Sequence, residues 1–355
     1  MSYIISGIQQ VGIGIPDVEK AWKWYRCHFG MDVPVFREAA EAPLMTRYTG
    51  GKVHSRDAVL AVNLQGGGGF EIWQYTSRKT AFPENFPVLG DTGIFASRIK
   101  SPSVEKTYKY LKEEKGCEVL GEPETAPDGE KTFFLKDPWG NHFQVVKSNE
   151  WFGKPVHPTG GPQGALIGVS DIEKALVFYS SALGFDSVVY DEKGTFKDLF
   201  NIDGGTGEFR RVLLTRSENP AGPFSPIFGS AKIELIQSLE RTPSRIFEGR
   251  YWGDAGFIHL CFDVQGMDAL GEKLSSAGFP FTIDSGSSFD MGEAAGRFTY
   301  VEDPDGTLIE FVETLKVPIV KKLGWYIDLS KKPMGKALPK FVLKAMGLGR
   351  EKGGC

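Results

Sequence analysis

The chain repeats itself. The segment DVEKAWKWYRCHFG at 17–30 aligns without gaps on DIEKALVFYSSALG at 171–184, an offset of 171 − 17 = 154. A unit repeated at this length is a supersecondary structure, so both copies must fold alike. Each copy follows a short alternating stretch, VGIGIP or ALIGVS, that reads as a strand. Each opens on an Asp at an N-cap position and closes on a Gly at a helix stop. Between them apolar residues recur at helical spacing: Val18, Ala21, Trp22, Tyr25 and Phe29 in the first copy, Ile172, Ala175, Leu176, Tyr179 and Leu183 in the second.

Two further pairs extend the repeat. FEIWQ from Phe70 and IELIQ from Ile233 read as strands, with Glu71 and Glu234 at an offset of 234 − 71 = 163. The nine extra residues (163 − 154 = 9) are expected within SENPAGPFSPIFGS, whose Pro and Gly content reads as a loop. KDPWGNHFQVV from Lys136 and EDPDGTLIEFV from Glu302 each read as a tight Asp-Pro-x-Gly turn leading into a strand. SVEKTYKYLKEEKG from Ser103 and MDALGEKLSSAG from Met267 supply a second helix to each half. Four similar modules result, in two pairs. The expected division is 1–148, a linker over 149–162, 163–315, and a tail over 316–355. The GGGG run at 66–69 enters a strand and lacks a Gly-Lys-Ser/Thr ending, so it reads as a hairpin turn and not a phosphate loop.

Bulk properties narrow the function. With 355 residues there is room for two domains with cores that need no disulfide support. A net charge of −4 gives no reason to expect nucleic acid as a partner. No apolar run approaches the ~18 residues of a membrane span. The N-terminal stretch lacks the basic-then-apolar pattern of a signal peptide, so the expected location is cytoplasmic. Cys27, Cys117, Cys261 and Cys355 show no paired spacing and read as free thiols in a reducing compartment.

The strand, the Asp-hydrophobic-Glu-Lys-Ala helix start with Phe/Trp-Tyr behind it, and the closing Asp-Pro-Asp-Gly with Glu310 four residues after Gly306 resemble the vicinal oxygen chelate (glyoxalase / bleomycin resistance / extradiol dioxygenase) superfamily. The resemblance covers about 5–315 in four places. It implies an α+β fold in which four βαβββ modules pair into two glyoxalase-like domains, one per half, with the basic tail added as a helical extension. It also implies metal ligands at four strand positions per domain. In the first half these hold Gln10, Glu71, Ala96 and Gln144, a metal-poor set in which Arg98 would neutralise Glu71. In the second half they hold Gly164, Glu234, His259 and Glu310.

Two carboxylates and an imidazole suit one divalent ion, Zn, Mn, Fe, Co or Ni, and the glycine would leave a position open to water or substrate. Glu234, His259 and Glu310 are thus the expected metal ligands, with Glu234 and Glu310 the catalytic carboxylates. The implied activity is metal-dependent lyase or isomerase chemistry on a small oxygen-bearing substrate, one Glu acting as general base. A metal-free binding protein of the bleomycin-resistance type is the alternative. An extradiol dioxygenase is less favoured, because oxygen-activating iron is usually held by two His and one carboxylate. A homodimer is compatible with either.

Other features carry two readings each. Trp73, Trp252, Tyr251, Phe257 and Phe289 are core residues or the walls of a pocket for a planar substrate. Arg241, Arg245 and Arg250 lie in a solvated connection or in a lid that binds an anion. No Cys-His or Ser-His-Asp nucleophile arrangement is evident. The tail carries ten basic residues against Asp328 and Glu351, and KALPKFVLKAMGLGR within it reads as a short amphipathic helix. It would pack across the acidic repeats or a second subunit, or touch an anionic membrane surface.

Overall fold

The computed structural model describes residues 2–286, 289–291, 294–320, 325–351, 353 and 355. The first module runs β1 (Ile4–Gly14), α1 (Val18–Phe29), β2 (Val33–Glu41), β3 (Ser55–Val62) and β4 (Gly69–Tyr75). The second runs β5 (Gly93–Ser101), α2 (Val104–Lys109), β6 (Glu118–Thr125), β7 (Lys131–Lys136) and β8 (His142–Lys147). The third holds β9 (Pro162–Gly168), α3 (Ile172–Leu176), β10 (Ser187–Gly194), β11 (Phe209–Thr215), α4 (Ser225–Phe228) and β12 (Lys232–Ser238). The fourth holds β13 (Gly256–Gln265), α5 (Met267–Ser276), β14 (Ile283–Asp284), β15 (Phe289–Met291), β16 (Ala294–Glu302) and β17 (Leu308–Val320). The tail adds β18 (Trp325–Asp328) and α6 (Lys340–Ala345).

The repeated helix starts are set by their caps. The Asp17 carboxylate accepts from the Lys20 amide, and Asp171 accepts from Glu173 and Lys174. Gly30 ends α1 in the left-handed conformation, at φ 65. The helix tyrosines then meet the Asp-Pro-x-Gly turns. Tyr25 donates to Asp137 Oδ2 at 2.6 Å, and Tyr179 to Asp303 Oδ2 at 2.8 Å. These bonds tie the first module to the second and the third to the fourth, within each half.

The two half-barrel sheets do not follow the halves. One sheet has the order β14-β16-β17-β13-β1-β4-β3-β2, so it joins the first module to the fourth. The other has the order β10-β11-β12-β9-β5-β8-β7-β6 and joins the second to the third. In every module the first strand pairs in parallel with the last, leaving its other edge open. β1 closes antiparallel on β13, and β5 on β9. The sequence-based expectation that ligand positions combine within each half is corrected here. All four open edges carry the same backbone donors and acceptors, so the repeat alone does not say which pair together.

A core shared by all four modules lies behind both sheets. Tyr25, Phe70 and Phe143 are in mutual ring contact there at 5.1–6.0 Å, and Phe257 joins them through Phe143 at 5.5 Å. A second cluster places the inserted segment and the tail. The inserted segment forms α4, and its Phe224, Ile227 and Phe228 pack with Leu329, Leu338, Val342 and Leu343 of the tail against Val33 and Val62. The tail therefore docks on the first module. Its end is joined there by a Cys27–Cys355 disulfide, so these two cysteines are not free thiols; Cys117 and Cys261 are. The sulfurs are 328 residues apart in sequence, and only the docked tail brings them together. Lys321, Lys322 and Lys352 of the basic tail, and the side chain of Phe289, lie outside the described residues. Among the described residues, no helix is long and apolar enough to cross a membrane.

Candidate metal centre

Four neighbouring strands of the first sheet, β17-β13-β1-β4, present Glu310, His259, Gln10 and Glu71 to one point. His259 Nε2 lies 3.1 Å from Glu310 Oε2 and 3.3 Å from Glu71 Oε2. The Gln10 amide stands 3.1 Å from the same Glu71 oxygen and 3.3 Å from the same Glu310 oxygen. The ligand atoms of Glu71, His259 and Glu310 all fall within 4.8 Å of one another. Gln10 and Glu310 are 300 residues apart, so the site closes only when the two ends of the chain meet.

The position of the imidazole depends on a missing side chain. A Cβ on Gly12 would sit 2.5–2.8 Å from the His259 ring atoms, and β1 pairs Gly12 directly with His259. Glycine is the one residue that lets the ring stand there. On its other side, His259 Nδ1 is 3.1 Å from the Tyr300 hydroxyl, which also interacts with Glu310. With Nδ1–H donated to Tyr300, Nε2 faces the two carboxylates and is the nitrogen that an ion would take.

The electrostatics ask for a cation. Burial would push the His259 imidazole down, but the carboxylates of Glu310 and Glu71 outweigh it and hold it up at about 10. His259 Nε2 is buried and makes no well-aligned hydrogen bond, although both carboxylates flank it. The Gln10 Oε1 atom is likewise buried without a partner, and the two ends of an amide interchange with a flip. Two carboxylates, an imidazole and an amide oxygen fit a divalent first-row ion, with coordination positions left for water or substrate.

The equivalent points of the second sheet are Gly164 on β9, Glu234 on β12, Ala96 on β5 and Gln144 on β8. Here the expected ligand set is corrected. Glu234 is not near His259 or Glu310; it is engaged by two arginines. Arg98 donates to Glu234 Oε2 and, at 2.8 Å, to Gln144 Oε1. Arg211 donates to Glu234 Oε1 at 2.8 Å and to Asp198 Oδ1 at 2.8 Å. Burial would raise the Glu234 carboxyl, but Arg211 and Arg98 outweigh it and hold it below the ordinary value. The predicted Arg98–Glu71 pair is replaced by Arg98–Glu234. The guanidinium passes beside Gly164, where a Cβ would lie 3.5 Å from Arg98 Cδ. A protein cation therefore engages Glu234, where the first sheet instead brings an imidazole to Glu71.

The sequence listed every one of these eight positions but combined them wrongly. Its readable signal was complementarity. Gln10 and Glu71 lack an imidazole partner, His259 and Glu310 lack a first-module partner, and neither Ala96 nor Gly164 offers any donor. Tyr300 had no signal of its own. The arginines of 241–250 bond within the chain: Arg241 to Asp91 and the Leu89 carbonyl, Arg245 to the Asp305 carbonyl, and Arg250 to the carbonyls of Ile246 and Ala255. Trp73 and Trp252 are buried in edge contact at 4.7 Å within the cluster that holds Tyr300, Tyr251 is partly exposed, and Phe257 is in the main core.

The family model of the Glyoxalase/Bleomycin resistance protein/Dioxygenase superfamily matches residues 7–145 and again 161–311. Glyoxalase I from Zea mays is similar in fold, with TM-score 0.53 and 15% identity over 88% of this chain and 92% of that one. A proposed dioxygenase from Bacillus subtilis gives TM-score 0.55 and 17% identity, over 88% and 86%. Comparison with curated proteins gives no match.

Proposed function

Since the chain belongs to the Glyoxalase/Bleomycin resistance protein/Dioxygenase superfamily, we propose that it is a metal-dependent enzyme of lyase or isomerase type, acting on a small substrate with neighbouring oxygens. The observation that carries this reading is the convergence of Glu71, His259 and Glu310, with Gln10 between the carboxylates. These four residues would hold the ion. When bound, a divalent ion supplies Lewis acidity at the substrate oxygens.

The remaining work falls to side chains. Glu310 is the carboxylate we assign as general base, because it has a protic neighbour in Tyr300. Tyr300 also fixes the His259 ring through Nδ1. A proton taken by Glu310 from carbon can be returned to the adjacent position, which is the net result of an isomerisation. Trp73 and Trp252 shield this face of the sheet from water, which strengthens every charge interaction inside it.

The test has two parts. Protein prepared without chelator is assayed for metal content, and the loaded protein is incubated in heavy water with small α-hydroxycarbonyl compounds. Roughly one equivalent of divalent metal and exchange of the α-hydrogen support the reading. Less than about a tenth of an equivalent, with no uptake on adding metals, sinks it.

A further inference from the structure

Glu71 lies between two apolar clusters on one face of the first sheet. β3 pairs Leu60 with Glu71, Ala58 with Trp73 and Val62 with Gly69, and β2 pairs Val33 with Val62. Paired residues share a face, as do residues two apart on one strand. Trp73 thus stands to one side of Glu71, with the buried Trp252 and Tyr300. Val33 and Val62 stand to the other side, two residues or about 7 Å along the strand. The inserted helix α4 and the tail helix α6 pack on them. Between these walls the Glu71 and Glu310 side chains are only 12% and 8% exposed. A substrate of the proposed enzyme needs one wall to part.

The walls differ in how they are held. Trp73 belongs to β4, inside the sheet. The chain beyond residue 339 adds no strand among the described residues. It is held by the burial of Val342 and Leu343, by the Glu351 N–H donating to the Asp32 carbonyl at 2.8 Å, and by partly exposed ion pairs of Arg350 with Asp32 and Glu351 with Arg26. Such contacts open locally at less than the cost of global unfolding. The Cys27–Cys355 bond opposes that opening, because it ties the end of the segment to α1.

We propose that the segment 339–355 is a movable wall of the metal cleft, latched shut by the Cys27–Cys355 disulfide; its gating role rests on the proposed metal centre, whereas the latch does not. A dithiol releases it by supplying two electrons and two protons. The S–S bond breaks, Cys27 and Cys355 become thiols, and the dithiol closes to its own disulfide. Cys261 is a built-in reporter of opening. It is a buried free thiol two residues from His259, and its strand places it between Gln10 and Glu310 on the floor of the cleft. The metal-free full chain is labelled with N-ethylmaleimide, once in its disulfide form and once as the Cys27→Ser/Cys355→Ser double variant, with Cys117 as the reference thiol. Cys261 is expected to react about tenfold faster in the double variant, with Cys117 unchanged. Amide hydrogen exchange of residues 340–345 in the unsubstituted chain, before and after reduction by a dithiol, is the second measurement and serves if the double variant does not fold. Faster exchange after reduction is expected. Unchanged Cys261 labelling, equal acceleration of Cys117, or exchange indifferent to reduction would each overturn the proposal. Both readouts need no metal, so a failure to bind metal sinks the functional reading without imitating any of these results.

Discussion

Glu71 and Glu234 occupy equivalent points of the repeat, yet one faces an imidazole at 3.3 Å and the other is clamped by two guanidinium groups. Their strands are alike, FEIWQ and IELIQ, and both carboxylates sit between parallel and antiparallel neighbours. The difference is supplied by what lies across the sheet. β13 brings His259 to the first, and β5 brings Arg98 to the second.

The two glutamates should therefore respond differently to the same change. Glu71→Gln should abolish metal binding and leave the fold intact. Glu234→Gln should keep the metal and destabilise the protein by about 3–5 kcal/mol, because Arg98 and Arg211 are left with one anion fewer in a buried setting. Metal analysis and thermal unfolding of both variants check this; loss of metal in Glu234→Gln with normal stability would contradict it.

Gly12→Ala should displace the His259 ring. The added methyl meets three ring atoms at under 3.0 Å, and the ring is fully buried with no room to retreat. Metal affinity should drop by roughly 10–100-fold, as for other disturbances of ligand orientation. A competition titration against a chelator reads it.

The metal-free protein should lose stability as pH rises. His259 is held at about 10 in the fold against an ordinary 6.5. A raised imidazole contributes stability that is complete below pH 6.5 and lost as pH climbs through about 10. The unfolding temperature of chelator-treated protein should fall across that window, and His259→Gln should flatten the decline. By the same linkage, metal binding must release this proton and should weaken as pH falls.

Leu343→Ala should test the docking of the tail. Leu343 is 1% exposed within the cluster of α4, α6 and the first module. The truncation should cost about 2–5 kcal/mol. A tail that merely trails in solvent would show no change in unfolding temperature.

Much of the module structure was legible without coordinates. The Asp17 and Asp171 caps, the helical spacing behind them and the Asp-Pro-x-Gly turns are local signals, and each is set by neighbours within a few residues. The eight ligand points were legible too, because a repeat transfers its register from one copy to the next. The assembled site was not. Whether β1 closes on β5 or on β13 is a contact between distant strand edges that are chemically equivalent, and the chain carries no local mark of the choice. The same holds for Cys27 and Cys355, which only the docked tail brings together. Sequence alone determined the modules and the residue types at each point. Tertiary structure decided which points meet, because backbone hydrogen bonding across an open edge is indifferent to the order in which modules were made.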